Sequence, residues 1–256
     1  MAKTTKKSKT ICIASTKGGV GKTIFTLNMA GIFASLEKKV LLIDLDLTSG
    51  SLAMSLNKPY EKSIYDLVED LKNNMYNEIS EYTLKYDKYI ECLPCPKDPR
   101  TASLIDIRYL SILLDRASFN YDIILIDTNH DLNATNLFTM DKVDELLFLI
   151  NNDPLNLKST RSLLAILNNM NINNYHVILN DSANPYKSYF SLYDIKNIIK
   201  ANIDYNITSS FYVETIDKYI MNGKIITLEP SVARIFNKDY TTMMTIATDI
   251  MKESRW

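Results

Sequence analysis

The sequence predicts an α/β fold: a doubly wound, mostly parallel β-sheet flanked by helices. Short apolar runs rich in β-branched residues alternate along the chain with segments of helical periodicity. That alternation is typical of parallel strands joined by crossover helices. A glycine-rich turn also separates the first apolar run from the first helical segment. Because helix N-termini that follow such turns attract anions, the turn predicts a phosphate-binding site at one edge of the sheet.

The predicted elements follow one another in the order that such a sheet requires. Apolar runs predict strands at residues 10–14, 40–44, 89–93, 123–127, 145–150 and 175–179. Apolar residues spaced three and four apart predict helices at residues 24–36, 64–71, 104–114, 154–167 and 243–250. Asp153 and Pro154 are typical of a helix start, with the aspartate as cap and the proline in the first turn. We expect residues 1–9 to form a flexible basic tail and residues 10–256 to form a single domain.

Composition excludes several classes of protein. The chain has 256 residues, 46% hydrophobic and 23% charged, with a net charge of −1, so no overall basic field indicates nucleic acid or membrane binding. No apolar stretch approaches the ~20 residues of a membrane helix. Cys92 and Cys95 have the C-x-x-C spacing of some metal sites, but the chain has only one further cysteine, Cys12, and two histidines. These residues make neither a zinc ligand set nor a disulfide framework. We expect these cysteines to be structural.

Residues 15–23, Ser-Thr-Lys-Gly-Gly-Val-Gly-Lys-Thr, carry most of the functional information. Glycines let the backbone approach a phosphate closely with its N–H groups pointing inward. Lys22 would bring positive charge to the β- and γ-phosphates, and the Thr23 hydroxyl would hold Mg²⁺. The segment therefore predicts a nucleotide-binding loop whose contacts come from Lys17, Gly18, Gly19, Val20, Gly21, Lys22, Thr23 and Ile24.

Polar residues end three of the predicted strands, at the edge where open α/β sheets bind ligands. Asp44 and Asp46 leave one strand on the same side, because side chains two apart share a face. Asp127 ends the strand at residues 123–127, and Asn180 follows the one at residues 175–179. Each feature alone is a weak signal, since aspartate and asparagine are also common turn residues. Together and in this order, they predict a site around the glycine loop.

The loop resembles the deviant Walker A motif, K-G-G-x-G-K-T, of the ParA/MinD class of P-loop ATPases. The resemblance implies that Lys17 reaches across a dimer interface to the partner's nucleotide. It implies that Asp46 positions the attacking water, that Asp44 supports the magnesium shell, that Asp127 holds Mg²⁺ through water, and that Asn180 binds adenine. The cofactors implied are ATP and Mg²⁺. The activity implied is slow hydrolysis by an ATP-dependent homodimer, with Lys17 and Asp46 as its catalytic residues.

Further segments look most like the CpaE/TadZ branch of that class. Residues 44–53 match a D-L-D-L-x-x-G-x-x-A segment, residues 93–99 match a proline-punctuated L-P-x-P-x-D-P stretch, and residues 121–127 and 221–225 are also similar. The resemblance covers roughly residues 10–230. It implies a regulator in the bacterial cytoplasm that positions pilus or secretion machinery, and that a protein partner recruits to a pole or a membrane-associated complex. We expect no receiver-like domain before the ATPase domain.

Departures from the class pattern leave other functions open. Ile24 replaces a second hydroxyl residue, Asn129 and His130 replace prolines, and a usual proline is missing near residues 209–211. We expect His130 to be a surface loop residue rather than a base. A small-molecule ligase of the same fold would need further substrate-binding carboxylates or cysteines, which the sequence does not reveal.

Two alternatives within the class make different demands on the C-terminal third. A DNA-partition ATPase needs a dense basic patch, whereas the cations there are spread among acids: Lys187, Lys196, Lys200, Lys218, Lys224, Arg234 and Lys238. A MinD-like membrane-positioning ATPase needs a cationic amphipathic C-terminal helix. The last predicted helix has few cations, so we expect it to pack against the domain and not to insert in a membrane.

Overall fold

A computed structural model describes residues 8–186, 188–212 and 216–252. Its strands are β1 (Lys9–Ala14), β2 (Val40–Leu45), β3 (Leu84–Lys85), β4 (Ile90–Leu93), β5 (Ile123–Thr128), β6 (Glu145–Ile150), β7 (Tyr175–Asn180) and β8 (Tyr205–Ile207). Within the described residues they form one sheet in the order β3-β4-β2-β5-β1-β6-β7-β8, in which only β3 runs antiparallel. This confirms the predicted doubly wound, mostly parallel α/β fold.

Helices cover both faces of the sheet. They are α1 (Lys22–Ser35), α2 (Leu52–Ser55), α3 (Ile64–Lys72), α4 (Tyr109–Ala117), α5 (Ala134–Lys142), α6 (Pro154–Asn169), α7 (Leu192–Ile199), α8 (Ile216–Met221), α9 (Val232–Ile235) and α10 (Asn237–Lys252). One buried cluster joins α1 and α10 to one face, and another joins α3, α4, α6 and α7 to the other. Strands β2, β5 and β6 are buried at every residue, which explains why each carries a run of four or five consecutive apolar residues.

The helix predicted at residues 104–114 is wrong over its first part. A 3₁₀ helix, Pro99–Leu104, ends there, Ile105 is extended, and α4 begins at Tyr109. The carboxylate of Asp98 accepts a hydrogen bond from the Arg100 amide, and Asp106 does the same for Arg108. These side chains bind backbone groups that an uninterrupted helix would use, and so they divide the segment in two.

The basic tail predicted at residues 1–9 is wrong at its last two positions. Ser8 is buried, and Lys9 opens β1 opposite Ile123. The Lys9 ammonium lies 2.9 Å from the carboxylate of Glu145 on the neighbouring strand β6, so this lysine is part of the sheet and not of a tail. Residues 1–7, which make up the rest of the predicted tail, lie outside the described residues.

The last described helix packs onto the domain as expected. In α10 the apolar residues Met243, Ile246, Ala247 and Ile250 are buried in the cluster that also contains α1. Residues 253–256 lie outside the described part of the chain. The apolar face of the helix is thus already occupied by the core.

Candidate nucleotide-binding site

The glycine loop lies between the carboxyl end of β1 and the N-terminus of α1. Gly19 and Gly21 have φ angles of 76° and 87°, a region that side-chain-bearing residues seldom adopt. Gly21 is also the N-cap of α1. Because glycine has no side chain, no capping group occupies the first amides of this helix. The first amides of α1 and the positive end of its dipole therefore face the loop, an arrangement that binds anions.

Lys22 is held inside the loop that it belongs to. Its ammonium donates a hydrogen bond of 3.0 Å to the hydroxyl of Ser15, which in turn donates to the carbonyl of Lys17 at 2.9 Å. Burial lowers the pKa of Lys22, and the nearby carboxylates of Asp127 and Asp46 oppose that shift. The arrangement keeps a partly desolvated positive charge aimed at the loop. The role of Ser15 was missed from the sequence, because it depends on how the loop folds back.

Asp127 connects the second acidic strand end to the first turn of α1. Its two oxygens accept hydrogen bonds from the hydroxyls of Thr23 at 2.7 Å and Thr26 at 3.3 Å. Burial raises the pKa of Asp127 to about 6, against the lowering effect of those hydroxyls and of Lys22. Thr26 was not predicted; its single O–H proton is shared between Asp127 and the Lys22 carbonyl, one helical turn earlier, whose oxygen lies 3.0 Å away.

Asp44 is the most buried acid of the site. It is the register partner of Asp127 in neighbouring parallel strands, and its side chain is inaccessible to solvent. Its oxygens accept hydrogen bonds from the amides of Leu52 at 3.0 Å and Asp46 at 3.2 Å. Burial, followed by repulsion from Asp127, raises the pKa of Asp44 to about 8. Two carboxylates are thus held side by side where both are costly to ionise.

Asp46 lies one step further out, beyond the end of β2. It is only partly buried, and one oxygen accepts a hydrogen bond of 3.1 Å from the Ser49 amide in the following turn. Its charge acts to raise the pKa values of both Lys22 and Asp127, so it lies near these two residues. Of the three predicted acids, Asp46 is therefore the one that solvent water can reach.

The residues present fit a magnesium ion that is shared with a phosphate. Mg²⁺ is usually bound through one or two carboxylates, with water and phosphate oxygens completing its shell. Thr23, Asp44 and Asp127 supply the hydroxyl and two carboxylates, whose raised pKa values a cation would lower. No group of three or more His, Cys, Asp or Glu side chains placed to hold a metal ion by themselves occurs within the described residues. The donors available thus suit a metal that arrives with its nucleotide.

The side chain of Lys17 is directed towards the start of α6. Its ammonium lies 3.0 Å from the carboxylate of Asp153, and its side chain is 41% exposed. Asp153 is the N-cap of α6 and accepts hydrogen bonds from the amides of Leu155 and Asn156. These amides, together with Lys17, lower the pKa of Asp153. Within one chain, Lys17 therefore pairs with Asp153 at the start of α6 and not with the strand-end acids Asp44, Asp46 and Asp127.

Asn180 ends β7 next to the loop, in a slot of about 250 Å³. Its amide nitrogen donates to the carbonyl of Val20 at 2.9 Å, and its oxygen accepts from the Ser182 hydroxyl at 2.7 Å. The rest of the slot is mostly apolar, lined by Ile24, Phe25, Ile207, Phe211, Tyr212, Ile216 and Met243. Ile24, noted above as a departure, is thus part of this wall. The aromatic residues were missed, because β8 and the turn after it carry no strong sequence signal.

Three other residues singled out in the sequence are His130, Cys92 and Cys95. Of these, Cys95 borders the site, since its sulfur and the Asp44 carboxylate both lie within 2.6 Å of the point where Gly50 would carry a Cβ. The side chain of His130 is half exposed on a loop, with Asp131 at 3.9 Å. Its ring lies 3.8 Å from the point where Gly18 would carry a Cβ, beside the loop and not within it. Cys92 and Cys95 are buried and form no disulfide, and burial raises the pKa of Cys95 to about 12.

A glycine loop at a strand–helix junction, an enclosed lysine and acids at two neighbouring strand ends define a P-loop nucleotide-binding protein. The model of a family described as AAA domain matches residues 8–182. The chain belongs to this family, and its relatives place it in the ParA/MinD class of P-loop ATPases. It is 30% identical over 137 residues to an uncharacterized ATP-binding protein of Methanocaldococcus jannaschii, covering 52% of this chain and 50% of that protein.

Another relative is the chromosome-partitioning ATPase Soj of Treponema pallidum, 23% identical over 227 residues, or 87% of each chain. Among solved structures, a ParA family ATPase from Chlorobium tepidum superposes with a TM-score of 0.80 at 19% identity, covering 95% of this chain and 98% of that one. MinD with Mg-ADP from Pyrococcus horikoshii superposes with a TM-score of 0.77 at 20% identity, covering 97% of this chain and 98% of that one. A chain of the MinC:MinD complex of Aquifex aeolicus superposes with a TM-score of 0.76 at 25% identity, covering 96% of this chain and 97% of that one.

Proposed function

We propose that this protein binds and slowly hydrolyses Mg·ATP, and that ATP switches it from monomer to homodimer. The observation that carries the proposal is the convergence of Lys22, Thr23 and three aspartates around an uncapped helix N-terminus. A triphosphate in the loop would receive the amides of α1 and the Lys22 ammonium. The slot beside Asn180 would receive the base. Relatives named as ATPases, and a neighbour that holds Mg-ADP, support the assignment.

The chemistry of hydrolysis divides among the residues by their burial. Thr23, Asp44 and Asp127 would hold Mg²⁺, which supplies charge neutralisation at the phosphates. Asp46, partly exposed and outside the magnesium donors, would orient the attacking water. Lys22 would stabilise negative charge that develops on the β- and γ-phosphate oxygens. None of these residues must change position greatly, because hydrogen bonds already fix Thr23, Asp44, Asp127 and Lys22.

Lys17 is the residue through which dimerisation would control turnover. Within one chain it pairs with Asp153, away from its own nucleotide loop. On an opposing subunit it would add a positive charge to the partner's phosphates, as an arginine finger does in trans. Because the Lys17–Asp153 pair is partly exposed, separating the two costs little. The proposal thus places one catalytic residue of each site on the other subunit.

The cellular role we propose is the positioning of pilus or secretion machinery through a protein partner, in the bacterial cytoplasm. It rests on the CpaE/TadZ-like segments of the sequence. A DNA-partition role is the second candidate, because Soj of Treponema pallidum is similar over most of its length. Against it, Lys196, Lys218, Arg234 and Lys238 lie on four different helices, α7 to α10, and Lys224 pairs with Glu229. No helix of the described residues is long and apolar enough to span a membrane.

The nucleotide site is tested by replacing Lys22 with alanine. We expect Lys22→Ala to weaken Mg·ATP binding about 100-fold, because the phosphates lose a charge-assisted partner inside the loop. Isothermal titration calorimetry measures the change. Lys238→Ala, on the exposed side of α10, is the matched control and should bind as the wild type does. Unchanged affinity in a folded Lys22→Ala protein would refute the assignment.

A further inference from the structure

The loop that follows β5 is tied to α5 by one buried side chain, that of Asn136. This residue lies in the first turn of α5 and is 1% exposed. Its carboxamide nitrogen donates hydrogen bonds to the side-chain oxygen of Asn129 at 2.6 Å and to the backbone carbonyl of Asp131 at 2.7 Å. The backbone carbonyl of Asn129 is a third oxygen, 3.4 Å from the same nitrogen. Residues 129–131 are therefore closed onto the start of α5.

These neighbours fix the orientation of the carboxamide. Backbone carbonyls can only accept hydrogen bonds, so the nitrogen of Asn136 and not its oxygen must face them. The side-chain oxygen of Asn129 is identified in the same way, because it also accepts a hydrogen bond of 3.0 Å from the Asp131 amide. The Asn136 oxygen is left buried, and no group within the described residues donates to it. Because an unpaired buried oxygen is unfavourable, the useful contacts of this side chain are those of its nitrogen.

The tied loop lies beside the phosphate end of the candidate nucleotide site. It begins two residues after Asp127, whose carboxylate is one of the proposed magnesium ligands. The ring of His130 lies 3.8 Å from the point where Gly18 would carry a Cβ, so this loop and the glycine loop are neighbours. The charge of Asp131 is one of those that oppose the lowering of the Lys22 pKa by burial. None of the residues proposed to hold the phosphates or Mg²⁺ belongs to residues 129–131.

We propose that Asn136 is a positioning residue for ATP hydrolysis, which acts by holding residues 129–131 beside the γ-phosphate. Lys22, Thr23 and Asp127 are fixed by their own hydrogen bonds, so a released loop would leave the affinity for Mg·ATP nearly unchanged. Turnover requires more, because the attacking water must keep one place relative to the phosphate. A loop free to move beside the phosphate would let that water take many places. The inference rests on the proposed ATPase function.

The test measures kcat and KM for Mg·ATP hydrolysis together with hydrogen exchange of the loop amides. Asn136→Ala and Asn136→Val both lack a donor, and the valine fills more of the space. In each we expect kcat to fall about tenfold and KM to change less than about twofold, while the amides of residues 130–132 exchange faster. Thr139→Val is the matched control, since Thr139 is buried in the same helix and its hydroxyl donates to the Thr135 carbonyl within α5. It should leave kcat, KM and the loop exchange unchanged.

The outcomes separate the inference from the function beneath it. A wild type that does not hydrolyse Mg·ATP overturns the proposed function. A wild type that hydrolyses ATP, with an unchanged kcat in a folded Asn136 variant, overturns only the role of Asn136. Loop exchange that stays slow, or an equal fall of kcat in Thr139→Val, overturns that role as well, because the effect would then belong to α5 as a whole. Thermal unfolding identifies which of the two Asn136 variants is folded, and either one suffices.

Discussion

Asp46 differs from its two acidic neighbours in exposure, and this difference predicts a separable function. Asp44 and Asp127 are buried and hydrogen-bonded, whereas Asp46 is partly exposed. We expect Asp46→Ala to bind Mg·ATP with affinity close to the wild type, while turnover falls about 100-fold through loss of the group that orients water. The variant should therefore accumulate as an ATP-bound dimer. Phosphate release and light scattering with ATP measure the two effects.

The matched control for that variant lies in the same turn. Thr48 is exposed, and its one contact with Asp46 is a long hydrogen bond of 3.5 Å from its hydroxyl. The Thr48→Ala protein should therefore hydrolyse ATP at almost the wild-type rate. A monomeric Asp46→Ala protein with normal turnover would contradict the role assigned to this aspartate.

The buried acids predict how the stability of the nucleotide-free protein depends on pH. Between about pH 4 and pH 8, unfolded Asp44 is ionised, whereas burial keeps the folded residue protonated. The folded state therefore binds more protons, so its free energy of unfolding falls as pH rises, by at most about 1.4 kcal/mol per pH unit for each such group. Chemical denaturation from pH 5 to pH 8 measures the slope. Asp44→Asn should make it shallower, and an equal slope in both proteins would contradict the assignment.

At the scale of the element, α6 links Lys17 to the body of the protein. Asp153 caps this helix and also holds the Lys17 ammonium. Asp153→Ala removes both interactions, so we expect a loss of about 1 kcal/mol in the free energy of unfolding. Asp153→Asn keeps a capping side chain but removes the charge, and its loss should stay below about 0.5 kcal/mol because the ion pair is partly exposed. Urea denaturation measures the free energy of unfolding of both variants. Equal losses in Asp153→Ala and Asp153→Asn would contradict the capping role.

The elements that the sequence predicted well are those whose signal is local. Buried parallel strands are continuous apolar runs, and Asp153-Pro154 marks the start of α6. The helix predicted at residues 104–114 failed over residues 104–108, since the Asp106 side chain there competes for a backbone amide within a helical apolar pattern. The glycine loop and the strand-end acids lie together, as expected, because parallel strands end at the same edge of the sheet. Of the apolar walls of the slot only Ile24 was predicted as a contact, because most of the others come from β8, the turn after it, α8 and α10, far along the chain.

At the scale of the whole molecule, the site occupies the carboxyl ends of β1, β2 and β5, three neighbours in the sheet. Every group proposed to bind phosphate or magnesium lies there within one chain. Lys17 alone turns outward, to the exposed N-terminus of α6. One chain thus contains what is needed to bind a nucleotide but keeps one cation away from it. Binding and turnover should therefore depend differently on the oligomeric state.

A complementation experiment tests this division. We expect Lys17→Ala to bind Mg·ATP but to hydrolyse it poorly, since the transition-state charge loses a partner that comes from the other subunit. Mixed with the inactive Asp46→Ala protein, it should form heterodimers in which one site has both Lys17 and Asp46. Random exchange makes half of the dimers mixed, each with one complete site of two, so turnover should recover to about a quarter of the wild-type value. The rate of phosphate release, followed against mixing time, measures this recovery. As the control, the Lys17→Ala/Asp46→Ala double variant replaces either partner, and no turnover should then be recovered. Normal hydrolysis by a monomeric Lys17→Ala protein would show that the lysine does not act in trans.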